Sequence, residues 1–183
     1  MMADRQWNIR TFLPLIIVLS ALTALYFPFI QTLIAAWDTN EDYSHGYFIP
    51  FISLYMIWSV RGRLADLKIK PSNVGLLVVI GGLSLLLIAK IGSELFLQRI
   101  SFIIVLLGLI IFLLGKDYFQ LLKWPILYLV FMIPLPAIIW NKIAFPLQLF
   151  GSYLTEQVVQ FMGIPIFRQG NVLHLAETTL EVV

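Results

Sequence analysis

Five apolar runs, at 12–36, 47–60, 74–89, 100–114 and 118–140, constrain this chain more than any other feature, and the first four hold no charged residue. Hydrocarbon offers no partner to a backbone N–H or C=O. A segment that enters it must satisfy those groups internally, and for a single run the solution is an α-helix. Soluble domains are about 45–50% apolar, whereas this chain is 60% hydrophobic with mean hydropathy +0.92. The expected fold class is an all-α polytopic membrane protein with five or six transmembrane helices plus a small C-terminal β-hairpin-like segment.

The first run is about 25 residues long, beyond the ~7–15 of a signal-peptide core. It has no clear small-x-small cleavage site and reads as a retained anchor. The next three runs are about 15 residues each, short of the ~20 that cross the bilayer core. Flanking Trp58, Lys90 and Arg99 are therefore expected at interface depth or snorkelling towards it. The fifth run holds Pro125, Pro134 and Pro136 and is expected to kink or break near its end.

Beyond Trp140 the pattern changes. Residues 145–162 carry Gln148, Ser152, Glu156 and Gln160 at intervals of four, one polar stripe on an apolar helix. That helix either lies in the interface or lines a cavity as a sixth span. Gly163 and Pro165 end it. Two short β-like runs then flank Gln169-Gly170-Asn171, a hairpin signal, and 179–183 is a third. The expected organisation is a bundle of about five spans over 1–143, an amphipathic or sixth helix over 144–163, and an outward-facing β-like segment over 164–183.

Orientation follows from the basic residues. Alternating the loops puts Arg5, Arg10, Arg61, Arg63, Lys68, Lys70, Lys116 and Lys123 on one side. Lys90, Arg99, Lys142 and Arg168 fall on the other, with the acidic loop that follows the first helix. The positive-inside rule places the richer side, and the N-terminus, in the cytoplasm.

Several chemistries are excluded. The net charge is +2 and no basic patch carries interleaved aromatics, so nucleic acid is not a partner. Cysteine is absent, which removes disulfides, thiolate metal sites and a cysteine nucleophile from these residues. The two histidines, His45 and His174, lie far apart with no metal-ligand spacing, and no cofactor is expected. No Gly-x-Ser-x-Gly elbow or phosphate-binding glycine loop occurs; Gly81-Gly82 reads as a helix-packing site.

One polar knot interrupts the oil, Glu41-Asp42-Tyr43-Ser44-His45-Gly46-Tyr47. Glu41, Asp42, Tyr43, Ser44 and His45 are the candidates for a substrate-access site. His45 is suited to carry a proton near neutral pH, and a helix start there would present N–H groups to an anion. The plainer reading is a loop in which Asp42 or Ser44 caps the second helix and Gly46 makes the turn. His174 alternates with Val172, Leu173 and Leu175 and is expected to face water. Lys90, Glu94 and Arg99 read as an interfacial loop, unless Lys90 and Glu94 form a buried pair at i+4.

Several local patterns, in order, resemble the exosortase family. Tyr43-Ser44-His45-Gly46, then Pro50 in an apolar helix ending at Trp58 with Arg61 and Arg63, is similar to its first block. Ile133-Pro134-Leu135-Pro136, Pro146-Leu147-Gln148, Gly163-Ile164-Pro165 and Gly170-Asn171-Val172-Leu173 are similar to its second. The resemblance implies a bacterial inner-membrane cysteine peptidase or transpeptidase, often encoded beside exopolysaccharide genes. Its implied partners are the lipid bilayer and exported proteins with a C-terminal Pro-Glu-Pro sorting signal. It also implies a catalytic Cys, Arg and His, with the Cys block directly following a segment like Leu180-Glu181-Val182-Val183. The expectation is thus that the catalytic residues lie beyond Val183, that none is present here, and that this chain alone is inactive. The alternatives are a small transporter or channel subunit using His45, Lys90 and Glu94, and a non-enzymatic scaffold for polysaccharide export.

Overall fold

The computed structural model describes residues 9–175 and 178–182, with side chains from residue 16 onward. Arg5 and Val183, used in the readings above, lie outside the described residues, and the side chain of Arg10 does too. The chain divides into two units at Pro134, Met1–Pro134 and Leu135–Val183.

The first unit is helical. Helix α1 spans Ile9–Thr39 and is followed by a 3₁₀ helix, Glu41–Tyr47. Helices α2 (Phe48–Ser59), α3 (Arg61–Asp66), α4 (Val74–Ile91), α5 (Leu95–Leu113) and α6 (Lys116–Tyr128) come next, and a second 3₁₀ helix covers Leu129–Met132. Among the described residues, Ile16–Thr39, Val74–Ile91 and Leu95–Leu113 are long and apolar enough to cross a membrane. Lys116–Met132 with Ala137–Phe161 makes a fourth if counted as one broken span. At 1.5 Å per residue, α4 and α5 are each about 27–28 Å long, close to the ~30 Å hydrocarbon core. Helix α2 has only 12 helical residues, about 18 Å.

Lipid tails are as apolar as leucine, so close packing and buried hydrogen bonds hold these helices together rather than expulsion of water. Helices α4 and α5 form the tightest pair. A Cβ on Gly75 would meet Phe112 Cα at 2.5 Å and Gly108 O at 2.6 Å, so backbone lies directly on backbone. Gly82 packs on Val105 in the same seam, whereas Gly81 faces open space. Helix α1 joins through Tyr26, whose hydroxyl lies 3.1 Å from Ser101 Oγ of α5, both side chains being fully buried. The Tyr26 and Phe29 rings meet Phe102 at 5.1 and 5.6 Å. Ser53 of α2 donates to the Pro125 carbonyl of α6 at 2.8 Å, so the proline inside α6 faces a partner helix.

Arg99 departs from expectation. It does not sit in an interfacial loop. Helix α5 begins at Leu95, which puts Arg99 in its second turn, 6% exposed. Its Nη2 lies 3.5 Å from the Thr32 carbonyl of α1, and its Nε has no hydrogen-bond partner among the described residues.

In the second unit, α7 spans Ala137–Phe161, and β1 (Ile166–Gln169), β2 (Val172–Leu175) and β3 (Thr179–Glu181) form an antiparallel sheet in the order β1-β2-β3. The helix stops as its sequence directs. Gly163 takes φ +79°, a conformation that a Cβ disfavours. Its N–H bonds Gln160 O while that of Ile164 bonds Val159 O, the paired closure of a Schellman motif. Gln169 pairs with Val172 across a two-residue loop whose first residue, Gly170, has φ +68°.

Candidate functional site

The polar knot is built on the junction of α1 and α2. Asn40 opens its 3₁₀ helix: the Asn40 side chain accepts from Asp42 N–H at 3.0 Å. Asn40 thus caps the 3₁₀ helix, and α2 itself starts after Tyr47 with no side-chain cap, so neither Asp42 nor Ser44 caps it. Ser44 Oγ donates to Glu41 O at 2.8 Å within the turn. The 3₁₀ helix runs directly into α2, with Phe48 N–H bonded to His45 O. The start of α2 therefore presents no array of unpaired N–H groups for an anion.

Two aromatic residues anchor the knot to the bundle. Trp37, 8% exposed, donates its indole N–H to the Met132 carbonyl at 2.9 Å. Gly46 lies against its face; a Cβ there would fall on the indole, 2.5 Å from Cε2 and 2.6 Å from Cδ1. Tyr47 stacks edge-on to Trp37 at 4.8 Å and donates to Asp38 Oδ1 at 2.6 Å. That hydrogen bond, with lesser desolvation and the carboxylate's charge, raises the Tyr47 phenol pKa above its ordinary 10.0. Tyr43 packs against the apolar core, while Glu41, Asp42, Ser44 and His45 are exposed.

His45 Nε2 lies 3.3 Å from the Phe131 carbonyl. A carbonyl only accepts, so this contact places the proton on Nε2 and leaves Nδ1 as the basic nitrogen of the neutral ring. The knot thereby touches two consecutive carbonyls of the second 3₁₀ helix, Phe131 through His45 and Met132 through Trp37. Among the described residues no carboxylate pairs with either histidine, and no three His, Asp or Glu side chains gather as a metal site. The arrangement orients and covers; it contains no paired nucleophile and base.

The second unit holds a separate polar assembly. The α7 stripe turns towards the sheet: Ser152 is fully buried and donates to Gln148 O, Glu156 pairs with Arg168 at 2.9 Å, and Gln160 Nε2 bonds Ile166 O at 3.3 Å. Glu156 and Gln160 thus find their partners in β1. His174 is half-buried rather than free in water, its ring stacked on Phe167 at 6.3 Å. Both rings line a shallow crevice of about 400 Å³ with Pro165 and Leu175.

Lys90 and Glu94 are both exposed, and no ion pair joins them among the described residues. The buried pair that a transport path would need is not formed. Sequence reasoning missed Trp37 and Asp38, which tether the knot, although Trp37 adjoins the acidic stretch that drew notice. It also missed the burial of Arg99, for which periodicity offered no signal.

The family model described as transmembrane exosortase matches residues 37–183, from Trp37 through the knot and both units. No curated protein and no solved structure matches the chain.

Proposed function

The chain belongs to the transmembrane exosortase family, and from that premise we propose that it forms the membrane bundle of a cysteine-type peptidase or transpeptidase acting on exported proteins with a C-terminal Pro-Glu-Pro sorting signal. The observation that carries this reading is the family match over 37–183 in a chain without a single cysteine. The nucleophile of such an enzyme is a thiolate, and none of these 183 residues supplies one. Their part is to hold the bilayer position and shape the approach to the reacting bond. The knot of Glu41, Asp42, Tyr43, Ser44 and His45 borders that approach, held to the bundle through the Phe131 and Met132 carbonyls. In this reading the chain sits in the bacterial inner membrane with its N-terminus in the cytoplasm and the acidic turn outward.

The test separates binding from cleavage. Residues 1–183 are purified in detergent with a substrate carrying the signal, its transmembrane helix and its basic tail. The expected result is co-purification without cleavage by mass spectrometry, and weaker co-purification with Glu41→Gln/Asp42→Asn. Cleavage by 1–183 alone would overturn the assignment of the nucleophile elsewhere. Failure to retain the substrate would overturn the assignment of these residues to its approach.

A further inference from the structure

Helices α1, α4 and α5 leave a crevice of about 410 Å³ between them, of the size that holds small ligands. Its walls include Leu25 and Phe29 of α1 and Leu83 and Leu87 of α4, and its polar margin is Lys90 of α4 with Gln98 of α5. Leu25, Leu83 and Leu87 are exposed, and α1 and α4 are both spanning candidates, so the crevice opens towards the bilayer. Its apolar floor therefore meets lipid tails rather than water.

Lys90 is the charged residue of the crevice lining; Glu94, exposed in the turn to α5, is not part of that lining. Lys90 is exposed in the last turn of α4 and makes no ion pair among the described residues. Gln98 turns its amide to Ala89 O, 3.5 Å away, bringing the start of α5 against the end of α4. The next residue, Arg99, is buried with its Nε unpartnered, and its Nη2 approaches Thr32, whose hydroxyl bonds back to Phe29 O at 2.8 Å. No acidic side chain lines the crevice. One cation, Lys90, thus stands at the margin of an apolar slot with no ion pair among the described residues, and Arg99, next in sequence to the lining residue Gln98, is a buried guanidinium short of partners, which is costly.

We infer that this crevice binds one anionic phospholipid, with an acyl chain along Leu25, Phe29, Leu83 and Leu87 and the phosphate at Lys90, where the nearby Arg99 charge adds to the attraction. A slot lined by hydrocarbon and capped by an ammonium at the end of a spanning helix matches the two halves of such a lipid. A free anion would gain nothing from the apolar walls, and a zwitterionic lipid, whose own cation offsets its phosphate, gains less from Lys90 than an anionic one. The site is independent of any peptidase chemistry.

The test uses the full chain, delipidated in detergent, with phosphatidylglycerol or phosphatidylcholine added, and native mass spectrometry counts the lipid retained. One phosphatidylglycerol per chain is expected, retained in preference to phosphatidylcholine. Removing one cation near a headgroup lowers affinity about fivefold, so Lys90→Gln is expected to cost phosphatidylglycerol that factor and phosphatidylcholine less, narrowing the preference, while Lys90→Arg keeps it. Leu83→Trp, a lipid-facing change that fills the slot, is expected to weaken both lipids. An unchanged phosphatidylglycerol preference in Lys90→Gln would overturn the headgroup assignment. Undiminished binding in Leu83→Trp, or glycerol phosphate competing as well as the intact lipid, would overturn the crevice.

Discussion

Gly46→Ala is the most informative single change in the polar knot. The added Cβ falls on the Trp37 indole, and neither group has room to yield, since Gly46 is buried and Trp37 is 8% exposed. Overpacking of this kind costs about 1–3 kcal/mol. If the indole swings away, the Met132 carbonyl and the indole N–H lose their 2.9 Å hydrogen bond, and leaving a buried polar group unpaired costs a further ~1–3 kcal/mol. The expected loss is about 1–3 kcal/mol if the indole stays and about 2–6 kcal/mol if it swings away. Gly62→Ala in α3 is the control: nothing lies within 4 Å of its Cβ, and helix propensity predicts a gain of about 0.5–1 kcal/mol. The assay is reversible unfolding of the purified chain in mixed micelles, followed by circular dichroism. Trp37→Phe completes a double-mutant cycle. If the clash with the indole is the cause, Gly46→Ala and Trp37→Phe must be strongly non-additive, by about 1 kcal/mol or more. Additivity within about 0.3–0.5 kcal/mol, or a Gly46→Ala variant as stable as Gly62→Ala, would refute the reasoning.

Gly75→Ala should destabilise the α4–α5 pair by about 1–3 kcal/mol, because its Cβ meets the Phe112 and Gly108 backbone, while Gly81→Ala six residues on should be neutral or stabilising; the same unfolding assay ranks them. Glu156→Ala should cost about 1–2 kcal/mol and speed hydrogen exchange of the β1 and β2 amides, since the Arg168 pair is mostly shielded, whereas Glu181→Ala on exposed β3 should stay within about 0.5 kcal/mol. Tyr47 titrates above 10.0, so its bond to Asp38 supports the fold fully below pH 10 and is lost as pH rises through the raised value. Asp38→Asn should return the Tyr47 phenol towards its ordinary range in an NMR titration of the ring and flatten that alkaline loss of stability.

The apolar runs were enough to establish a polytopic helical protein, because hydrocarbon forces backbone groups to pair within each segment whatever the neighbours are. Local chemistry also placed the stop at Gly163 and the hairpin at Gly170, since a positive φ is a property of single residues. The absence of cysteine, likewise, needs no structure to exclude a thiolate from these residues. Tertiary structure decided what depends on which face meets which. Arg99 looks like an interface anchor in sequence, yet the start of α5 at Leu95 turns it inward against Thr32. The stripe at Gln148, Ser152, Glu156 and Gln160 announced a polar face, but only the folded second unit supplies Arg168 and the Ile166 carbonyl as partners. The knot was conspicuous by composition, while its tethers, Trp37 to Met132 and His45 to Phe131, join residues 95 and 86 positions apart. Periodicity reports on the few residues within one turn of a helix; contacts across that distance are set by helix packing, which no local pattern encodes.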